Sequence, residues 1–265
     1  MPAPKIPRIF LAPDRQQSPA LPVRALNALL VALVIGGTIF VTMRHAALQW
    51  RWDLVAKYWR LFRDGWTTTL LIAAAALVLS TVVGIVFALA RRSRILPLRY
   101  FAKVYVEAIR ATPLLVQILI FFYVVADAVG MENRYVAGVL TLSCFAGAYI
   151  AEIIRAGIES VGRTQIESAM AIGLTRSQTY RHVIAPQALR VVLPPLAGQF
   201  VSLIKDSSLL SIIGVSELTL NAQNVASYTF SNFESYLILA AGYLLLTLPI
   251  SLWTRWLEGR IRFET

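Results

Sequence analysis

Long stretches of this chain carry no charge at all, and nothing else in it constrains the fold as strongly. Charge-free runs extend from Ala25 to Met43, Trp66 to Ala90, Ala111 to Ala126, Tyr135 to Ala151 and Ser235 to Thr254. A further run, Val191 to Ile204, meets Lys205-Asp206 and resumes from Ser207 to Ser216. Bilayer hydrocarbon is about 30 Å thick and a helix rises about 1.5 Å per residue, so a span needs roughly 20 mostly apolar residues. The runs read as six transmembrane helices. With 57% hydrophobic residues and a mean hydropathy of +0.65, a soluble fold of 265 residues would be covered in apolar patches. An all-α integral membrane protein is expected.

Orientation follows from Lys and Arg, which cytoplasmic loops retain. With the N-terminus inside, the inner segments hold 17 of the 25 Lys and Arg residues, among them Arg91, Arg92, Arg94, Arg99 and Lys103, and Arg155, Arg163, Arg176, Arg181 and Arg190. The net charge of +11 thus has a topological explanation, and a clustered nucleic-acid footprint is not needed. Residues 1–24 are Pro-rich and polar and read as a flexible cytoplasmic tail, 25–43 as an N-terminal anchor, and 258–265 as a second cytoplasmic tail. The 25–43 run is longer than a signal-peptide core and lacks a small-x-small site before Arg44, which favours an uncleaved span. Segment 44–64 is basic yet falls outside. Leu54, Val55, Tyr58, Leu61 and Phe62 recur there at helical spacing beside Trp50, Trp52 and Trp59, so an amphipathic helix lying in the outer interface is expected.

Catalytic signatures are missing. There is no Gly-x-x-x-x-Gly-Lys-[Ser/Thr] phosphate loop, no Gly-x-Ser-x-Gly elbow, and the two histidines, His45 and His182, fall on opposite sides of the membrane. The single Cys144 lies inside a span and implies no disulfide framework. The sequence argues against an enzyme and offers no resident metal or cofactor.

The polar interval 160–186 stands apart. Thr164 and Glu167 have capping-box spacing, Gly173 suits a sharp turn, Thr175 and Gln178 repeat the box, and Pro186 marks an expected helix end. The interval reads as two short helices hinged at Gly173. A well-capped loop and a helix-turn-helix bearing Arg176, Arg181 and His182 fit the local pattern too, though anchoring between two spans disfavours the second.

Longer motifs name a family. Glu167-Ser168-Ala169, then Gly173, then Val183-Ile184-Ala185-Pro186 resembles the Glu-Ala-Ala loop of ATP-binding-cassette importer permeases. Tyr105-Val106-Glu107-Ala108-Ile109-Arg110-Ala111-Thr112-Pro113-Leu114-Leu115-Val116-Gln117 is similar to a signature of the polar amino acid uptake branch. So are Gly147-Ala148-Tyr149-Ile150-Ala151-Glu152 with Arg155 and Gly157, Pro186-Gln187-Ala188-Leu189-Arg190, and Ser202 to Leu209. Departures are small: Ser168 and Ala111 each replace the usual residue. The resemblance covers 65–257 and implies a five-helix type I importer permease core, with one extra N-terminal transmembrane helix ahead of it. It further implies that Glu167, Ser168, Ala169, Gly173 and Pro186 couple to the ATPase, and that the apolar residues Ala169, Met170, Ile172 and Leu174 form the docking knob. Expected partners are two ATP-binding subunits, which use ATP and Mg, a second permease copy or paralogue, and a periplasmic substrate-binding protein. The expected location is the bacterial inner membrane.

Charges at membrane depth cost roughly 2.5–3.5 kcal/mol each on insertion scales and call for a role. Glu107 with Arg110, and Glu152 with Arg155, have i,i+3 spacing and read as local pairs near the cytoplasmic end of their helices. Lys205-Asp206 lies deeper, with Ser207 next and Gln199 two turns before. A zwitterionic amino acid needs an anion and a cation, so Gln199, Lys205, Asp206 and Ser207 are the candidate substrate contacts; an interhelical structural ion pair is the alternative. A self-sufficient secondary transporter or channel for small polar solutes is the alternative function. The two halves of the chain share no motif, against that class's usual internal repeats.

Overall fold

A computed structural model describes residues 20–45 and 50–261. The chain divides into two units, Met1–Trp50 and Arg51–Thr265. The first contains α1 (Leu21–His45), whose start lies before the expected boundary at 25. Most of the tail assigned to 1–24 lies outside the described residues. Every regular element of the second unit is a helix among the described residues. Five helices of the described chain are long and apolar enough to cross a membrane, or six if one sharply bent pair counts as a single span.

The segment expected as one amphipathic helix in the outer interface is split in two. It forms α2 (Trp52–Ala56) and the first turns of α3 (Trp59–Ala90). Its apolar face meets protein, because Val55 and Phe62 are buried against Leu218, Ala222 and Val225. Polar contacts fix the same corner: Asn221 Nδ2 donates to Leu61 O at 2.8 Å, and the Arg51 N–H donates to Glu234 Oε1 at 2.6 Å. Part of the apolar face thus packs on protein, while Trp50, Trp52 and Trp59 are exposed.

After α3 the chain turns into α4 (Leu96–Ala111), and α5 (Leu114–Ile120) continues through a π-helical turn, Phe121–Ala126. The run Ala111 to Ala126, expected as one span, is broken instead: α4 and the Leu114–Ala126 arm meet at 111°. Thr112 and Pro113 are extended, as the residue before a proline tends to be. Gln117 Nε2 secures the corner by donating to Ile109 O at 2.7 Å and to Thr112 Oγ1 at 2.8 Å. Next comes α6 (Arg134–Glu159), the most buried span, capped at its start by the Asn133 side chain. It packs very closely on α3. A Cβ on Gly84 would stand 2.4 Å from Ile150 Cγ2, and one on Gly147 would stand 2.5 Å from Val83 Cγ1. Small residues at such crossings let two backbones approach where lipid supplies no hydrophobic drive between helices.

Beyond the polar interval, α9 (Ala185–Asp206) runs into a 3-10 segment, Ser207–Ile213, that stops at Gly214 in the left-handed region with φ 77°. Then α10 (Leu218–Thr229) and α11 (Asn232–Ile261) complete the bundle. The helical state of α11 reaches past residue 258, where a tail was expected. A core of Ile72, Ala76, Ile118, Leu142, Ile204 and Leu210 joins α3, α5, α6, α9 and the 3-10 segment.

Candidate functional site

The polar interval folds as a hairpin between α6 and α9. Its first arm is α7 (Arg163–Ala171) and its second begins with α8 (Arg176–Thr179). The Thr164–Glu167 capping box is not formed: Gly162 occupies the cap position, and Thr164 and Glu167 lie inside the helix with no side-chain cap. The Thr175–Gln178 box is formed, with the Gln178 N–H donating to Thr175 Oγ1 and the Thr175 N–H donating to Gln178 Oε1 at 2.9 Å. Gly173 makes the turn at φ 86°. The Leu174 N–H donates to Ala169 O and the Gly173 N–H to Met170 O, a Schellman closure that needs the left-handed residue between the arms.

Pro186 does not end the second helix. A π-helical turn, Tyr180–Ile184, leads straight into α9, with Pro186 in its first turn. The wider turn accommodates a residue that has no N–H to donate and whose ring would clash with the carbonyl four residues earlier. The hairpin is thus continuous with a membrane span. Its base is packed as well, because Ile158, Val161, Ile184 and Ala188 form a buried cluster joining α6, the hairpin and α9.

The exposed tip matches only part of the expected knob. Ala169 is buried inside the hairpin, whereas Met170 is 50% and Ile172 79% exposed. A cavity of about 410 Å³ opens between the arms, lined by Thr164, Ser168, Ala169, Ile172, Leu174 and Val183. Glu167 and Ser168 are exposed beside it, and Glu167 makes no side-chain hydrogen bond or ion pair among the described residues.

The second candidate group lies where α9 gives way to the 3-10 segment. Lys205 is exposed, Asp206 and Gln199 are half-buried, and Ser207 is buried with its hydroxyl donating to Ile204 O at 2.7 Å. Lys205 and Asp206 form no ion pair with each other or with another helix among the described residues. The structural ion-pair alternative therefore finds no partner among the described residues. The pairs read from spacing at the other sites are partly rearranged. Glu152 does hold Arg155, but it also takes Arg91 at 2.6 Å and Arg110 at 3.6 Å, while Glu107 faces Lys103 at 3.8 Å. The Arg91–Glu152 contact puts the C-terminal ends of α3 and α6 at the same end of the bundle as the hairpin.

Two buried acids, Glu217 and Glu234, escaped the sequence reading. Glu217 precedes α10, accepts from the N–H groups of Thr219 and Leu220 at 2.8 and 2.9 Å, and accepts from the Tyr243 hydroxyl at 3.0 Å. Burial pushes its carboxyl above the usual range, although these donors pull the other way. It fixes α10 against α11.

Helices long and apolar enough to cross a membrane thus carry a packed polar hairpin at one end, and where α9 gives way to the 3-10 segment Lys205 and Asp206 form no ion pair among the described residues. The chain belongs to the family of binding-protein-dependent transport system inner membrane components, whose model matches residues 80–263. It is similar to the probable glutamine ABC transporter permease protein GlnM of Bacillus subtilis (strain 168), 39% identical over 201 residues that cover 76% of this chain and 93% of that protein. It is also similar to the glutamine transport system permease protein GlnP of Escherichia coli (strain K12), 35% identical over 217 residues, 81% of this chain and 99% of that one. Among solved structures, the crystal structure of an amino acid ABC transporter with histidines matches with a TM-score of 0.76 and 38% identity, over 80% of this chain and 100% of that chain. The all-α permease fold is therefore established, and the chain is a transporter membrane component rather than an enzyme. Such components work with separate ATP-binding subunits.

Proposed function

We propose that this chain is the permease through which an ATP-driven importer passes polar amino acids, with the hairpin 160–186 docking the ATP-binding subunit. The observation that carries this reading is the hairpin itself: an exposed tip of Met170 and Ile172 beside an unpartnered Glu167, on a base packed against two spans. A partner groove that closes on binding ATP and Mg would move this tip, and a base buried against α6 and α9 would pass the motion to both spans. Differential contact with the two states of the partner is what shifts the permease population. The working assembly is two ATP-binding subunits, this chain with a second copy or a paralogue, and a periplasmic binding protein. The chain sits in the bacterial inner membrane with the N-terminus and the hairpin in the cytoplasm.

Substrate class follows from the names of its relatives and from the unpaired Lys205 and Asp206 beside Gln199, which offer opposite charges to a zwitterion. The test is uptake of labelled polar amino acids by vesicles containing the reconstituted assembly. ATP-dependent uptake of a polar amino acid is expected, and an assembly that hydrolyses ATP but transports none of them would remove the substrate assignment.

A further inference from the structure

Between the end of α3 and the first turns of α4 lies a cavity of about 400 Å³ that neither the hairpin nor the Gln199–Ser207 region uses. Arg91, Arg92, Arg99, Lys103 and Arg155 line it against one acid, Glu159. Glu152 and Glu159 hold Arg91 and Arg155, and Glu107 faces Lys103. Arg92 and Arg99 have no acidic partner among the described residues. Arg99 and Lys103 are one turn apart on α4 and project to the same side. Cations gathered round one opening with two of them uncompensated form a site for an anion.

The rest of α4 says which anion. Ala102 and Val106 are buried, Val106 against Ala88, Ala148 and Ala151, while Leu96, Tyr100 and Val104, spaced four residues apart along the flank next to Arg99 and Lys103, are exposed. Inorganic phosphate would satisfy the cations and leave that apolar face bare. A phospholipid covers both, with its phosphate in the cavity and its acyl chains along Tyr100 and Val104. Basic pockets at helix ends are a known setting for anionic headgroups, and an apolar face beside a basic one is the composition of an interfacial helix. We infer that this cavity binds the phosphate of an anionic phospholipid, such as phosphatidylglycerol, in the leaflet on the hairpin side. Only the choice of leaflet rests on the orientation proposed above.

The test uses the purified full chain, delipidated in neutral detergent and offered phosphatidylglycerol and phosphatidylcholine in equal amounts, with bound lipid read by native mass spectrometry. Phosphatidylglycerol should be retained in preference. The triple variant Arg92→Gln/Arg99→Gln/Lys103→Gln should lose affinity by about fivefold per charge removed, while Arg60→Gln, at the other end of α3, should change nothing. Equal retention of the two lipids by the unaltered chain, displacement of phosphatidylglycerol by millimolar inorganic phosphate, or undiminished binding to the triple variant would overturn the inference. The first two readings need no variant to fold, and none depends on membrane orientation.

Discussion

Arg91 Nη1 stands 2.6 Å from Glu152 Oε2, joining the end of α3 to a span 61 residues further along the chain. Glu152 also takes Arg155 and Arg110, so one carboxylate compensates three guanidinium groups on three elements. The side chains of Arg91 and Glu152 are only 16% and 21% exposed. Glu152→Gln should therefore lower stability by about 1–3 kcal/mol, less than a fully buried pair because water reaches part of the network. Glu107→Gln, which faces an exposed Lys103, should leave stability unchanged. Unfolding midpoints of the two variants in detergent check this, and equal midpoints would contradict it.

The turn of the hairpin depends on a left-handed residue. Gly173→Val should strain the turn by about 1–2 kcal/mol and abolish copurification of a co-expressed ATP-binding subunit, while the spans still insert. Gly173→Asn should keep most of the association, since Asn adopts this conformation more readily. Glu167→Ala removes no side-chain hydrogen bond or ion pair among the described residues, so it should weaken association without altering the hairpin. Full association of Gly173→Val would sink the docking role.

Neither Lys205 nor Asp206 forms an ion pair among the described residues, so their loss should not unbalance the fold. Lys205→Met and Asp206→Asn should each cut amino acid uptake at least tenfold, about 1.4 kcal/mol, with the yield of assembled complex preserved. Reduced yield with normal uptake per complex would instead assign the pair to the contact between permease subunits.

Topology is read by single cysteines in a Cys144→Ser background. The Tyr105 hydroxyl donates to the backbone oxygen of residue 144, so that replacement leaves the contact in place. A cysteine at Ser177 should resist an impermeant thiol reagent in intact spheroplasts and one at Asn232 should react. The reverse pattern would put the hairpin on the outer side.

The spans were legible because charge-free runs of about 20 residues have one physical reading, and Gly173 because a turn between two capped helices selects glycine. Misreadings came where local signals competed. Thr164 and Glu167 have the spacing of a capping box, yet Gly162 takes the cap two residues earlier. Pro186 looked like a stop, and a π-helical turn absorbed it. The break at Thr112-Pro113 was written in the sequence, since the residue before proline avoids the helical region, but an uncharged run masked it. The helix at Leu218–Thr229 was also readable, with Leu218, Ala222, Val225 and Ala226 on one face. Glu217 and Tyr243 meet only in three dimensions, and no spacing announces a contact between a helix cap and a residue on the next span.

The corner at Thr112-Pro113 bears on how the protein is made. Beyond it, Leu114–Ala126 rises roughly 20 Å, well short of the thickness of bilayer hydrocarbon. A segment that short does not partition into lipid stably by itself. It enters the membrane by packing, with Ile118 buried against Leu142 of α6 and the carbonyls of the corner satisfied by Gln117. During synthesis, α6 must therefore leave the ribosome before Ile118 meets Leu142 and this core is complete. For this stretch of chain, membrane integration is a late tertiary folding event that waits on a downstream helix.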